Sequence, residues 1–261
     1  DRVMDSRPKL LDAFCGAGGA ARGYMDAGFH VTGVDIEAQP RYCGDRFIRA
    51  DAMVLLRHRT WLRQFDAIHT SPPCQAHTSL KAMWNRREHP DLVGPTRDRL
   101  DGLGIPYVIE NVPGAPLLNP VVLCGSMFTL GCERAELRRH RLFETNFILS
   151  APESGCRHGW SGEDCIVGIY GHAGGSSRRD HAVIGVYGGH GRDRKRRTNG
   201  QHFSTDARRQ AMGIDWMTGT ELSQAIPPAY TRWIGAQLMR AVGTGKFPCP
   251  DPLTAPAPVL R

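Results

Sequence analysis

Short apolar runs alternate with polar, glycine-rich turns along the first 145 residues. Lys9-Leu10-Leu11-Asp12-Ala13-Phe14 reads as a buried strand that runs into Cys15-Gly16-Ala17-Gly18-Gly19. Residues 20–28 then take helical spacing, and 29–35 read as a second strand ending in Asp35. Residues 47–52 predict a third strand ending in Asp51. A helix closing near 61–64 leads to a fourth strand at 65–69. Helix is expected at 97–103, a strongly apolar strand at 105–112, and another apolar element from 121. Residues 137–144 alternate, which predicts a strand carrying Arg139 and Arg141 on one face. Further on, Ser204-Thr205-Asp206 caps a helix at 207–212, and 220–225 form a capped turn before Pro227-Pro228. Trp233, Ile234, Leu238 and Val242 mark a last helix at 229–242.

Strands alternating with helices predict an α/β fold with a doubly wound sheet. The order strand, Gly-rich turn, helix, strand, acid fits a nucleoside-cofactor site. Its glycines let backbone approach a ligand, and Asp35 or Glu37 is placed for ribose hydroxyls. The glycines do not complete the dinucleotide fingerprint, so a pyrophosphate-bearing cofactor is less favoured. Asp51 is a candidate partner for an exocyclic amine.

The stretch Thr70-Ser71-Pro72-Pro73-Cys74-Gln75 carries the candidate chemistry. Its prolines fix φ, remove two donors and stop the fourth strand, so Cys74 arrives on a stiff turn at a strand's end. Residues 75–96 are irregular and polar and read as a lid that contacts substrate. Glu110 ends an apolar strand, a setting that raises a carboxyl pKa.

A net charge of +7 over 261 residues suits a polyanionic partner, provided the basic residues cluster. They do within 151–204. Ile166-Val167-Gly168-Ile169-Tyr170-Gly171 nearly repeats as Val183-Ile184-Gly185-Val186-Tyr187-Gly188. Arg178 and Arg179 follow the first copy; Arg192, Arg194, Lys195, Arg196 and Arg197 follow the second. Paired strand-plus-basic-loop units suit phosphate contacts, against the plainer reading of a solubilising basic loop. The eight cysteines include no Cys-x-x-Cys pair and resemble no disulfide framework. Cys156-x-His158 with Cys165 could contribute to a metal site, but the irregular ligand spacing favours free thiols in a loop-rich region and no assigned metal. With no signal peptide and no long apolar run, the expectation is a soluble cytoplasmic protein without membrane contact.

Taken in order, six motifs resemble those of the DNA cytosine-5 methyltransferases, in particular compact bacterial or phage-type members. They are Asp12-Ala13-Phe14-Cys15-Gly16-Ala17-Gly18-Gly19, Val34-Asp35-Ile36-Glu37, Ala50-Asp51-Ala52, Pro72-Pro73-Cys74-Gln75, Glu110-Asn111-Val112 and Arg139-His140-Arg141. The resemblance covers about residues 9–145 and 205–242. It implies a Rossmann-like fold using S-adenosylmethionine, with a small target-recognition insertion at 151–204. Residues 1–150 and 205–245 would form the catalytic part, and 246–261 a Pro-rich tail.

By the same resemblance, Phe14, Gly16, Gly18, Asp35, Ile36, Glu37, Asp51 and Pro73 would hold the cofactor. Cys74 would add to carbon 6 of a flipped-out cytosine and so activate carbon 5. Glu110 would hydrogen-bond ring nitrogen 3, while Arg139 and Arg141 would stabilise the carbonyl oxygen and fix Cys74 and Glu110. Asn111 would shape the turn. Gln75, Ser79, Lys81, Arg178, Arg179, Arg194, Lys195, Arg196 and Arg197 would contact DNA. The implied partner is double-stranded DNA read at a short sequence by a monomer, with a cognate restriction endonuclease as a further partner. Two departures stand out: Leu137 replaces the usual glutamine, and Ser223-Gln224-Ala225-Ile226-Pro227-Pro228 replaces the usual glycine-asparagine form. Transfer RNA as substrate, and a catalytically silent DNA-binding protein, are the rival readings.

Overall fold

Adjacent residues of the first strand bury into opposite layers. Leu10 packs into one apolar cluster with Tyr24, Phe29, Tyr230, Ile234 and Leu238; Leu11 packs into another with Leu56, Leu62 and Leu100. The same period of two recurs in Ala67 and Ile68 and in Val108 and Ile109. A sheet covered on both faces follows, which is why its strands read as continuous apolar runs. Fully burying each such leucine or isoleucine contributes about 1.5–3 kcal/mol.

The computed structural model of the protein describes residues 6–74, 77, 90–132, 135–156, 182–184 and 204–244. In chain order the strands are β1 (Lys9–Ala13), β2 (His30–Asp35), β3 (Arg46–Arg49), β4 (Ala67–Thr70), β5 (Tyr107–Asn111) and β6 (Val121–Leu123). They continue with β7 (Gly131–Cys132), β8 (Ala135–Leu137), β9 (Arg141–Thr145) and β10 (Ala182–Ile184). The helices are α1 (Gly19–Asp26), α2 (Ala52–Leu55), α3 (Arg59–Leu62), α4 (Val93–Leu100), α5 (Thr205–Met212), α6 (Gly219–Gln224) and α7 (Pro228–Thr244).

The main sheet has seven strands in the order β3-β2-β1-β4-β5-β9-β6. Strands β1 to β5 pair in parallel, while β9 runs antiparallel to β5 and to β6. The fold is therefore α/β and doubly wound. Strand order reverses between β1 and β4, and ligands of open α/β sheets sit at the carboxyl ends of strands at such a point. A second sheet, β10-β8-β7, packs with α5 and α6 over a smaller core of Leu137, Met212, Ile214 and Leu222.

Helix α1 is seated against α7 by small residues. A Cβ added at Gly23 would lie 2.1 Å from the Pro228 carbonyl oxygen and from Thr231 Oγ1, and 2.7 Å from the Arg232 amide nitrogen, all on α7, so only glycine allows this approach. Thr231 Oγ1 donates to the Ala20 carbonyl across the same contact (2.9 Å).

The structure corrects some expected elements. Strand β3 ends at Arg49, and Asp51 instead caps α2, its Oδ1 accepting from the Met53 amide (2.8 Å). A short acidic side chain before an apolar turn satisfies an orphan helix donor, and that competes with extending the strand. Helix α4 begins at Val93, so the tail of the expected irregular stretch is helical. The expected strand at 137–144 is broken: β8 stops at Leu137 and β9 starts at Arg141. Arg139 therefore lies on a connector rather than beside Arg141 on one strand face. Both ends of that break are buried, and β9 lies between β5 and β6 rather than at a solvated edge.

Candidate active site

The turn after β1 is built mainly by its own backbone. The Cys15 amide donates to the Val34 carbonyl and the Gly18 amide to the Cys15 carbonyl (3.1 and 3.0 Å). Asp35, at the end of β2, accepts from the Gly16 amide through Oδ2 and from the Glu37 amide through Oδ1, each at 2.9 Å. Phe14 holds φ of 60°, a left-handed conformation that costs a non-glycine residue about 1–3 kcal/mol and clusters at ligand sites. Gly16 (φ 49°) is open: an added Cβ would meet nothing within 4 Å. Gly18, by contrast, sits against Cys43, whose Sγ would lie 2.9 Å from an added Cβ.

Their positions in the sequence point Asp35 or Glu37 at ribose hydroxyls. In the structure both Asp35 oxygens already brace the turn, and Glu37 is exposed beside it. Ile36 is 62% exposed, a large apolar surface left uncovered next to that turn. Beneath lies Asp12, which is 1% exposed. The Ala21 amide favours its charge, yet neither carboxylate oxygen reaches hydrogen-bond geometry with any described residue. Burial, then the nearby Asp35 and Glu110, push its carboxyl well above the ordinary range.

The turn after β4 carries Cys74 and is held by other strands. The Ser71 amide donates to the Ala13 carbonyl (3.1 Å). Asn111 Nδ2 donates to the Pro72 carbonyl (3.0 Å), and Asn111 Oδ1 accepts from the Val112 amide (2.9 Å). Asn111 thus shapes the turn. Pro73 is exposed on it, and Cys74 is partly buried. Burial pushes the Cys74 thiol up and Glu110 adds to this; Arg141 pulls it down most strongly, followed by a hydrogen bond from its own backbone amide and by Arg139.

Glu110 is the penultimate residue of β5 and is 6% exposed. Its Oε1 meets Arg141 Nε at 2.9 Å. Burial raises its pKa, opposed by Arg141, Arg139 and a hydrogen bond from Ser71. That bond ends a buried chain. Tyr24 Oη lies 2.9 Å from His69 Nδ1, and His69 Nε2 lies 2.9 Å from Ser71 Oγ. Burial lowers the His69 pKa to about 3, so the ring is neutral and carries one proton. With Ser71 donating to Glu110, Nε2 must carry that proton, and Nδ1 accepts from Tyr24. Nothing in the sequence signals this chain beyond His69 and Ser71 near a strand end.

Arg139 departs from expectation. Its Nε donates to the Ala225 carbonyl (3.1 Å), and one terminal nitrogen donates to the carbonyls of Ser223 (2.7 Å) and Ala225 (2.9 Å). Both residues belong to the stretch Ser223-Gln224-Ala225-Ile226-Pro227-Pro228 noted above. Tyr230 Oη also donates to the Arg139 carbonyl (2.6 Å). Arg139 therefore clamps the connector to the end of α6, and Arg141 is the arginine that meets Glu110.

Sequence proximity groups Cys156 with His158 and Cys165. The structure instead sets Cys156 beside Cys124 and His140, while His158 and Cys165 lie outside the described residues. The candidate DNA contacts Gln75, Ser79, Lys81, Arg178, Arg179, Arg194, Lys195, Arg196 and Arg197 also lie outside them. The same holds for the rest of the near-repeat except 182–184, and for the Pro-rich tail. Among the described residues no helix is long and apolar enough to cross a membrane.

No family model matches the sequence, and no curated protein matches it. Among solved structures, the S. pombe Dnmt2 methyltransferase is 14% identical with a TM-score of 0.58, covering 91% of this chain and 99% of that one. A protein described as a DNA modification methyltransferase encoded within an E. coli prophage is 20% identical (TM-score 0.40), over 55% of this chain and 49% of that one. A triple mutant of Spodoptera frugiperda DNMT2 is 18% identical (TM-score 0.37), over 68% and 55%. The chain thus spans about half the length of the prophage and insect proteins. The likeness to the S. pombe protein is one of fold, and the fold is a Rossmann-like methyltransferase fold.

Proposed function

We propose that the protein methylates carbon 5 of a flipped-out cytosine in duplex DNA, with S-adenosylmethionine as donor. The observation that carries this reading is the meeting of Cys74, Glu110 and Arg141 at the sheet's switch point, beside the Gly16 turn.

The residues at the Gly16 turn suit a cationic nucleoside. Asp12 is an orphaned buried carboxylate, Gly16 leaves room at the backbone, and Ile36 offers an uncovered apolar face. Asp35 and Glu37 supply negative potential, with Glu37 free of the bracing that occupies Asp35. Bound there, S-adenosylmethionine would supply an electrophilic methyl group.

The rest of the chemistry falls to the chain. Cys74 Sγ, as thiolate, forms a bond to carbon 6 of the pyrimidine and makes carbon 5 nucleophilic. Arg141 favours that thiolate. Addition moves electron density toward ring nitrogen 3. Glu110, in the protonated form that burial favours, donates a hydrogen bond there. The Tyr24-His69-Ser71 chain and Arg141 hold its carboxyl in place. Loss of the carbon 5 proton then lets the carbon–sulfur bond break and frees Cys74. A stacked base cannot reach Cys74, so the base must leave the duplex.

Nucleoside mass spectrometry of duplex DNA, and separately transfer RNA, tests this after incubation with S-adenosylmethionine. Methylated deoxycytidine, absent with Cys74→Ala, is the expected result. Methyl on RNA cytidine alone moves the site to RNA. No product on either, and no adduct on 5-fluorocytosine DNA, overturns the enzyme reading in favour of a silent binder.

A further inference from the structure

Behind the arginine connector, three metal-binding side chains converge from separate parts of the chain. Cys124 follows β6, His140 precedes β9, and Cys156 lies where the chain enters the 157–204 segment. Their ligand atoms all lie within 4.8 Å of one another. His140 Nε2 and Cys156 Sγ are 3.4 Å apart.

The spacing can be set against that of a tetrahedral ion. Zinc bonds of about 2.3 Å to sulfur and 2.0–2.1 Å to nitrogen put neighbouring ligand atoms roughly 3.3–3.8 Å apart. The His140–Cys156 pair already has that separation, and Cys124 Sγ lies within 4.8 Å of both. Cys124 and His140 are buried, and Cys156 is partly so. Ser126 Oγ lies 3.7 Å from Cys156 Sγ, placed to donate to a thiolate as an outer-shell partner does. Two sulfurs and an imidazole select zinc over magnesium or calcium, which take oxygen ligands.

We propose that Cys124, His140 and Cys156 bind a structural zinc ion. Three protein ligands leave one position of the tetrahedron for water or a further donor. The ion ties the end of β6 to the connector that carries Arg139 and Arg141, and both to the start of the 157–204 segment. His140 stands between the two arginines in sequence, so the zinc sets the connector's path, and through it the approach of Arg141 to Glu110. This proposal stands whether or not the protein methylates DNA, because it rests on the ligand geometry alone.

The test measures metal in the full chain purified from zinc-supplemented cells, by elemental mass spectrometry, beside Cys124→Ser, Cys156→Ser and Cys74→Ser. About one zinc per chain in the wild type and in Cys74→Ser, with loss in the other two, is the expected pattern. Zinc absent from the wild type, or kept by both Cys124→Ser and Cys156→Ser, overturns the proposal. So does a Cys124–Cys156 disulfide isolated in place of metal. Should the variants fail to fold, X-ray absorption of the wild type decides the matter. Sulfur neighbours near 2.3 Å support the site, and a shell of oxygen and nitrogen alone overturns it.

Discussion

The turns after β1 and β4 leave neighbouring strands at the same end of the sheet but are held in different ways. The first is closed by its own amides and one acid, Asp35. The second contains two prolines, which have no amides to give, so it borrows Asn111 from β5 and faces Arg141 of β9. One turn carries its geometry within a short stretch of chain. The other receives it from strands far along the sequence. Donor binding, assigned to the first, and bond-making, assigned to the second, should therefore come apart under mutation.

Cys74→Ser should separate them most. Methyl transfer should fall on the order of 10⁴-fold or more, while calorimetric binding of S-adenosylmethionine stays as in the wild type. Equal losses in both would erase the distinction between the turns. Glu110→Gln comes next, with a fall of about 10²–10³-fold. The pH profile adds a sign. Cys74 and Glu110 both titrate above their ordinary values, and the productive form needs a thiolate beside a protonated carboxyl. Wild-type activity should therefore fall at the alkaline end as that proton is lost, and Glu110→Gln should level off there instead.

Asn111→Ala probes the borrowed support. Freeing the Pro72 carbonyl should lower kcat about tenfold to a hundredfold through misplacement of Cys74, with donor affinity unchanged. The smallest effect is expected on the stability of the first turn. Asp12 has a folded pKa above its unfolded one, so it supports the fold at low pH and that support is lost as pH rises through the folded value. Asp12→Asn should make the ligand-free protein more stable at neutral pH by about 1–3 kcal/mol, seen in denaturant melts, and should weaken donor binding.

What the sequence disclosed follows the same division. Residues such as Leu10 and Leu11 alternate into two cores, so periodicity alone finds β1, β2, β4 and β5. Asp35 ends its strand and closes the turn within twenty residues, a span that pattern reading covers. Arg139 could not be read that way, because its partners Ser223 and Ala225 are 84 and 86 positions away. The alternation around it suggested one continuous strand, whereas those distant carbonyls draw it out of the ladder. The grouping of Cys124, His140 and Cys156 was equally hidden, since sequence spacing pairs Cys156 with His158. Asp51 misled for a local reason: a helix cap and a strand's last acid look alike until the next turn is known.

The seating of α1 against α7 has a consequence in time. Thr231 meets Ala20 across 211 positions, and Trp216 donates to the Ala17 carbonyl across 199. A ribosome makes the first turn early and the residues that cover it much later. Contacts so distant along the chain are slow to form, since a long loop must close before they reward it. Throughout that interval the apolar side of α1, with Ala20, Ala21 and Tyr24, has no cover from α7. Helix α1 leaves the ribosome long before α7, so it is among the last elements of the fold to gain its native cover.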